Sequence, residues 1–171
     1  MMLDLGANTE CSAINLAEFA IIGNILARHT LGIARPRIAL LNIGAEEMKG
    51  KEEIHQAAKM IKNARLDLNF IGYIEPHQIG EGYADVIVSD GFTGNIALKT
   101  MEGTAKLISG LLKGVIKKSL WVKIGLPFLL PLVWKLKKTM DPRKYNGAMF
   151  VGLNGLSVKS HGGTDAIGYS Y

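Results

Sequence analysis

At 171 residues, with 48% apolar and 20% charged side chains, the chain has the composition of one globular domain with a sizeable core, which excludes a disordered or low-complexity segment. A single cysteine, Cys11, excludes an internal disulfide framework and fits a reducing, cytoplasmic setting, and no Cys/His spacing resembles a zinc site. The net charge of +5 is local: residues 103–140 hold eight lysines and no Asp or Glu, whereas the remainder carries twelve basic and fifteen acidic residues.

The N-terminus has no basic stretch ahead of an apolar run and carries Asp4, so it does not read as a secretory signal. A first strand begins at Met1 and breaks at the tip Leu5-Gly6-Ala7-Asn8. Asn15 and Glu18 then stand in capping-box relation and predict a helix over 16–31, stopped by Gly32. Ile14, Ala17, Ile21, Ile22, Ile25 and Leu26 make that helix apolar almost all round, the pattern of a buried one. Pro36 and Arg37 lead into a strand over 38–43, whose tip is Gly44 followed by Ala45-Glu46-Glu47-Met48-Lys49-Gly50-Lys51. A polar helix over 51–63, a strand over 68–72 and a strand over 85–89 follow, the last breaking at Asp90-Gly91-Phe92-Thr93-Gly94-Asn95. Strands alternating with helices predict an α/β fold with a mostly parallel sheet.

From 95 to 119 the spacing of Ile108, Leu111, Leu112, Val115 and Ile116, opposite Lys106, Lys113 and Lys117, predicts one long helix. Beyond it the uncharged stretch 124–134 has eleven residues and two prolines. A spanning helix needs about 20 apolar residues, so this is not a transmembrane segment. Trp121, Trp134 and the neighbouring lysines instead suggest docking at a membrane interface; an oligomer contact or a buried loop are the alternatives. The tail predicts strands over 149–153 and 156–159 joined by an Asn154-Gly155 hairpin turn, which would deliver Lys159-Ser160-His161-Gly162-Gly163 to one end of the sheet. Thr164-Asp165 resembles a helix cap just before Tyr171, and Met1 falls inside a strand, so both ends read as cut.

Three strand ends thus break into small, polar, glycine-bearing tips. Open α/β sheets hold their ligands outside the carboxyl ends of their strands, where glycine lets backbone N–H groups approach an anion and a helix N-terminus adds its dipole. Ordinary βα turns favour the same residues, but three in one chain point to a ligand site.

The runs Leu3-Asp4-Leu5-Gly6-Ala7-Asn8, Leu41-Asn42-Ile43-Gly44-Ala45-Glu46-Glu47 with Lys49-Gly50, Ser89-Asp90-Gly91-Phe92-Thr93-Gly94-Asn95 with Leu98-Lys99, and Gly152-Leu153-Asn154-Gly155 to Lys159-Ser160-His161-Gly162 occur together and in order. This set resembles the phosphate acyltransferase family of phospholipid synthesis (PlsX) over essentially the whole chain. The resemblance implies conversion of acyl-[acyl-carrier protein] and inorganic phosphate into acyl phosphate, which passes to a membrane glycerol-3-phosphate acyltransferase. It implies a three-layer fold like that of isopropylmalate dehydrogenases and phosphate acetyltransferases, in a homodimer associated peripherally with the membrane. It also implies that the lysine-rich 101–140 segment is a projecting helical hairpin with an apolar tip, placing Trp121, Leu126, Phe128, Leu129 and Leu130 at the docking surface. Family chains are about twice this length, so residues 1–171 match roughly the second half of one acyltransferase domain. That half is expected to be inactive alone.

Phosphate attack on a thioester needs an anion cradle, donors for the oxyanion and a proton for the leaving thiolate. The turn from Gly91 through Gly94 to Asn95 is the first candidate for the cradle, with Lys99 four residues on adding charge. Asn8 and Asn154, at strand ends, are candidate donors to carbonyl or phosphate. Lys159 and His161 alternate along a strand and share a face, as a phosphate contact and a titratable donor for the thiolate. Glu46 and Glu47 would orient these cations, and Asp4 and Asp90 would accept hydrogen bonds at the tips. The chemistry requires no metal and no cofactor. Competing readings are a related phosphate acetyltransferase or dehydrogenase, although no Gly-x-Gly-x-x-Gly occurs, and a non-catalytic membrane-surface or dimerisation module. Nucleic-acid binding is disfavoured, since the lysines flank an apolar, proline-bearing tip rather than lining a groove with arginine and dispersed aromatics.

Overall fold

The computed structural model describes residues 1–46, 48–118, 131, 134–135, 147–160 and 166. The chain divides into two compact units, Met1–Glu102 and Gly103–Tyr171.

The first unit is an α/β layer structure built on a four-stranded sheet. Its strands are β1 (Met2–Leu3), β2 (Arg37–Leu41), β3 (Asn69–Ile74) and β4 (Val86–Val88), in the order β1-β4-β2-β3. All three pairings are parallel: Leu3 stands against Val88, Leu40 against Val88, and Leu41 against Ile74. The two central strands, β2 and β4, are buried along almost their whole length, which is why they read as unbroken aliphatic runs rather than alternating ones.

Side-chain alternation sorts these residues onto two faces. Leu3, Ile38, Leu40, Val86 and Val88 point to one face, against α1 (Ala13–Thr30); a Cβ added at Gly23 of that helix would meet Val86 and Leu3. Helix α2 (Glu52–Asn63) packs beside α1 and over β3. On the opposite face Ala39, Leu41, Ile74 and Ile87 form a buried cluster, covered in part by Met2, Ile79 and Ala84. Ile79 belongs to a 3₁₀ turn, Pro76–Gly80, on the connection from β3 to β4. That connection is pinned where β4 begins: Arg37 grips Asp85 through Nε and Nη2 and also donates to the Gly82 carbonyl. The fork-shaped contact with Arg37 holds the Asp85 carboxyl below its usual range despite some opposing burial.

Helix α1 begins earlier than the sequence indicates and is capped by a different residue. Ser12 is the N-cap, accepting from the Asn15 N–H, while Asn15 reciprocates from position N3 with its side chain on the Ser12 N–H. Asn15 is thus the second half of the box, and Glu18 plays no part in it. Gly32 does stop the helix, at φ +68°. The helix is also not buried all round. It buries a close-fitting stripe of Ala13, Leu16, Ala17, Ala20, Gly23, Asn24 and Ala27 and leaves Ile14 and Ile25 exposed. The long helix, α3 (Gly91–Lys118), starts four residues before its expected beginning, because Asp90 caps it. No described helix is long and apolar enough to cross a membrane.

In the second unit, the described part of α3 exposes Leu107, Ile108, Leu111, Leu112 and Val115. Strands β5 (Ala148–Phe150) and β6 (Ser157–Lys159) form an antiparallel pair, with Phe150 opposite Ser157. Residues 151–156 make the connection, so Asn154-Gly155 is not a two-residue turn. A type I′ turn needs positive φ at both centres, and neither Asn154 nor Gly155 has it; Gly152 does, at +82°. Of the 101–140 hairpin expected from the sequence, residues 119–130, 132–133 and 136–140 lie outside the described residues.

Candidate functional site

The parallel sheet brings its three tips to one end, since every strand points the same way. The first and third tips are stitched together directly. The Asp4 N–H donates to the Ser89 carbonyl at 2.9 Å and the Ser89 hydroxyl to the Asp4 carbonyl at 3.2 Å. Further out, the Gly91 N–H donates to the Asn8 carbonyl at 2.7 Å. A Cβ at Gly6 would stand 3.5 Å from that of Asn95, so these two residues are immediate neighbours.

Asp4 organises the first tip. Its buried carboxylate accepts from the N–H groups of Gly6 (2.9 Å), Ala7 (2.9 Å) and Asn8 (2.7 Å) and from the Asn8 side-chain amide (2.9 Å). Burial works to raise its pKa, but these bonds to the charged form outweigh it and hold the group below the usual carboxylate value. Asp90 does the same for α3, accepting from the Thr93 N–H at 2.7 Å and hydroxyl at 2.9 Å. Both aspartates are therefore the structural acceptors that the sequence suggests. Their work uses up donors: the N–H groups of Gly91, Thr93 and Gly94 all end on Asn8 or Asp90. What the site offers an anion is accordingly side-chain amide and ammonium groups more than a backbone nest.

The second tip is held by Asn42, which is buried and donates to the Lys49 carbonyl at 2.7 Å while its oxygen accepts from the Ile43 N–H at 2.9 Å. Gly50, at φ +102°, packs on that side chain so closely that a Cβ would collide with it. Glu46 is paired with Lys49 at 2.9 Å, so its described partner is a residue of its own loop; Glu47 lies outside the described residues. The tip ends at Lys51, whose ammonium stands 3.7 Å from Asp90 and so links the second tip to the third.

Sequence reasoning passed over Lys51 because it reads as a helix-end lysine. It also left Cys11 unplaced. That thiol contacts the Asn8 carbonyl at 3.8 Å, and burial, aided by the Asp4 and Asp90 charges, pushes its pKa up, against the Gly91 N–H and Lys51.

Of the named candidates, Asn8, Gly91, Gly94 and Asn95 are brought together. Gly91 and Gly94 are buried at the seam, and the two asparagines are exposed beside it. Lys99 lies further along α3, where its ammonium is bound by Glu102 at 3.0 and 3.2 Å. Asn154 and Lys159 belong to the second unit, in the 151–156 connection and at the end of β6 respectively, and both are exposed. His161 and the docking residues Trp121, Leu126, Phe128, Leu129 and Leu130 lie outside the described residues.

A family model described as "Fatty acid synthesis protein" matches residues 1–170. The chain is similar to the phosphate acyltransferase of Paramagnetospirillum magneticum, with 52% identity over 170 residues, 99% of this chain and 48% of the relative. It is similar to those of Granulibacter bethesdensis (51% identity, 100% and 46%) and Rhodospirillum centenum (52% identity, 99% and 48%). It thus spans about half the length of the curated relatives it matches. A match running through all three tips and the β5–β6 segment, with half of the residues identical to named enzymes, places this chain in the fatty acid synthesis protein family, the family of the phosphate acyltransferases.

Proposed function

We propose that the full family chain, of which these residues make up about half, transfers an acyl group from acyl-[acyl-carrier protein] to inorganic phosphate. One observation carries the reading: the tips Asp4–Asn8 and Asp90–Asn95 are locked together at the carboxyl end of a parallel sheet, in a chain 52% identical to a phosphate acyltransferase. A phosphate oxygen attacks the thioester carbonyl carbon, the tetrahedral oxyanion collapses, and the C–S bond breaks. The thiolate then takes a proton from His161. In this reading the amides of Asn8 and Asn95 meet phosphate or oxyanion, Lys99, Asn154 and Lys159 supply further polar and cationic contacts, and Gly91 and Gly94 keep the seam narrow. Preorganised donors of this kind act on charge as it develops, which lowers the barrier without binding the ground state more tightly.

The test compares this chain alone with a full-length version made by joining it to the remaining half of the Paramagnetospirillum magneticum relative. The isolated chain gives no acyl phosphate and the full-length chain does. In the latter, Asn95→Ala and Lys159→Ala each lower turnover at least tenfold, about 1.4 kcal/mol of barrier. Robust turnover by the isolated chain would overturn its dependence on the other half, and unchanged kinetics in both variants would show that the anion binds elsewhere.

The same reading has the protein act as a homodimer at the membrane surface, handing acyl phosphate to a membrane glycerol-3-phosphate acyltransferase. It is supported by the exposed Leu107, Ile108, Leu111, Leu112 and Val115 of α3 and by the local excess of lysine. Apolar side chains entering the interface contribute up to about 1.5–3 kcal/mol each, and lysines near an anionic surface about 1 kcal/mol each. Leu129→Glu is expected to abolish co-sedimentation with phosphatidylglycerol vesicles. Binding equal to wild type would remove the apolar tip as the anchor.

A further inference from the structure

We propose that Phe92 and Ile96 of α3, with Ile43 of the second tip, receive the hydrocarbon chain of the thioester and so set the chain length the site prefers. This rests on the acyl-transfer reading and deepens it by giving the apolar end of that substrate a place. Its readout is the binding of alkyl phosphates rather than turnover, so the two can fail separately.

Large apolar side chains stand exposed around the polar seam. Phe92 is 60% exposed, Ile96 51% and Ile43 73%. The first turns of α3 dictate two of these placements. Gly91 and Gly94 face the first tip, where an added Cβ would meet the carbonyl oxygens of Asn8 and Asp4 respectively. Phe92 and Ile96, at i and i+4, share a different side of the helix. With about 3.6 residues per turn, Asn95 falls between the two sides, next to Gly6 on one and to the apolar pair on the other. Ile43 lies two residues past the end of β2, and its tip reaches the start of α3 through Lys51, 3.7 Å from Asp90.

The chemistry of the seam selects what covers this surface. Asn8 and Asn95 offer amides to a polar reacting group, and apolar surface begins directly beside Asn95. The combination matches a molecule that is polar at one end and hydrocarbon beyond it, and an acyl thioester has that form at its carbonyl carbon. A helix of another protein fits less well, because it is held by a row of anchors at i, i+4 and i+7. Here the position seven residues on from Phe92 is Lys99, whose ammonium is bound by Glu102 at 3.0 and 3.2 Å. A flexible chain needs no third anchor.

Isothermal titration calorimetry tests this on the full-length chain, made by joining this half to the remaining half of the Paramagnetospirillum magneticum relative. Ethyl phosphate and decyl phosphate are the probes, since they share a headgroup and differ in hydrocarbon. Wild type is expected to bind decyl phosphate at least about tenfold more tightly. Phe92→Ala and Ile96→Ala should each reduce that preference at least about threefold while leaving ethyl phosphate within about twofold, and Ile43→Ala should act in the same direction. Met101→Ala, at an exposed position on the opposite side of α3, should keep the wild-type preference. The proposal is overturned by a wild type that binds both probes equally, or by an unchanged preference in Phe92→Ala and Ile96→Ala. It is also overturned by an equal loss for both probes, which would make these side chains contacts of the other half of the chain. If circular dichroism shows that Phe92→Ala does not fold, Ile96→Ala and Ile43→Ala decide. A wild type that keeps the decyl preference yet forms no acyl phosphate would sink the acyl-transfer reading and leave the alkyl subsite standing.

Discussion

Gly94→Ala is expected to destabilise the first unit by about 2 kcal/mol or more, although alanine is the better helix former. In a free helix the change would gain roughly 1 kcal/mol. Here an added Cβ would collide with the Asp4 carbonyl oxygen and approach the Ser89 hydroxyl to 2.9 Å. Neither neighbour can retreat. Asp4 and Ser89 are tied to each other by two hydrogen bonds, Asp4 N–H to Ser89 carbonyl and Ser89 hydroxyl to Asp4 carbonyl, and a third, Ser89 N–H to Leu3 carbonyl at 2.8 Å, holds Ser89 to β1. Overpacking against fixed backbone costs about 1–3 kcal/mol and sometimes more, and it must also cancel the propensity gain. Gly103→Ala is the control, because nothing lies within 4 Å of the added Cβ there, and it should be neutral or stabilising. Urea unfolding of both variants measures the difference. Should Gly94→Ala match Gly103→Ala, the tight seam between the first and third tips would be wrong. In the full-length chain the same substitution is expected to lower activity, since it forces Asn95 and Asn8 apart.

The second large effect is at Asp4. Asp4→Ala removes an acceptor that serves four donors, and charge-assisted hydrogen bonds contribute about 1.5–3 kcal/mol apiece when buried. Gly6, Ala7 and Asn8 are exposed, however, so water replaces part of the loss and a net cost of about 2–3 kcal/mol at neutral pH is expected. The effect carries a pH signature. Because the folded carboxyl titrates below its ordinary value near 3.9, its contribution is fully present above that pH and is lost as pH falls through the lower folded value. The gap between wild type and Asp4→Asn should therefore be constant from pH 7 to about pH 5 and shrink steadily in more acid solution. Asp85, lowered by Arg37, keeps both proteins acid-sensitive, so the comparison rests on the difference between them rather than on either curve. A gap that persists undiminished well below pH 3 would mean that the carboxylate charge is not what holds the tip.

The sequence made the strands and their parallel arrangement legible because the signals there are local and redundant. β2 is an unbroken aliphatic run after Pro36 and Arg37, α2 begins beside Lys51, and Gly32 ends α1 as its position suggests. Helix starts were less legible, since several residues near each could serve as the cap. Asn15-x-x-Glu18 imitates a capping box, yet Ser12 lies one turn earlier and Asn15 completes its box instead. At α3 the glycines read as loop, and only the Asp90–Thr93 spacing betrays the cap. The exposure of Ile14 and Ile25 was not legible either, because a composition apolar on all sides does not say which side meets the sheet; the run of small residues ending in Gly23 decides it by fitting against Val86 and Leu3. In the candidate site the tips were found and their convergence was implied by parallel strands. The consumption of backbone donors by Asp4 and Asp90, and the reach of Lys51, depend on side-chain directions across elements far apart in sequence.

Among the described residues the strand order leaves β3 as an outer member of the sheet, and its shape limits further pairing. β3 is six residues long, but its register against β2 slips between Ile38 and Ala39, which leaves Ile71 as an extra residue, and Gly72 bends the chain there at φ +100°. Growth by strand addition is discouraged at this margin by curvature, so that what β3 offers a neighbour is side chains rather than a main-chain ladder.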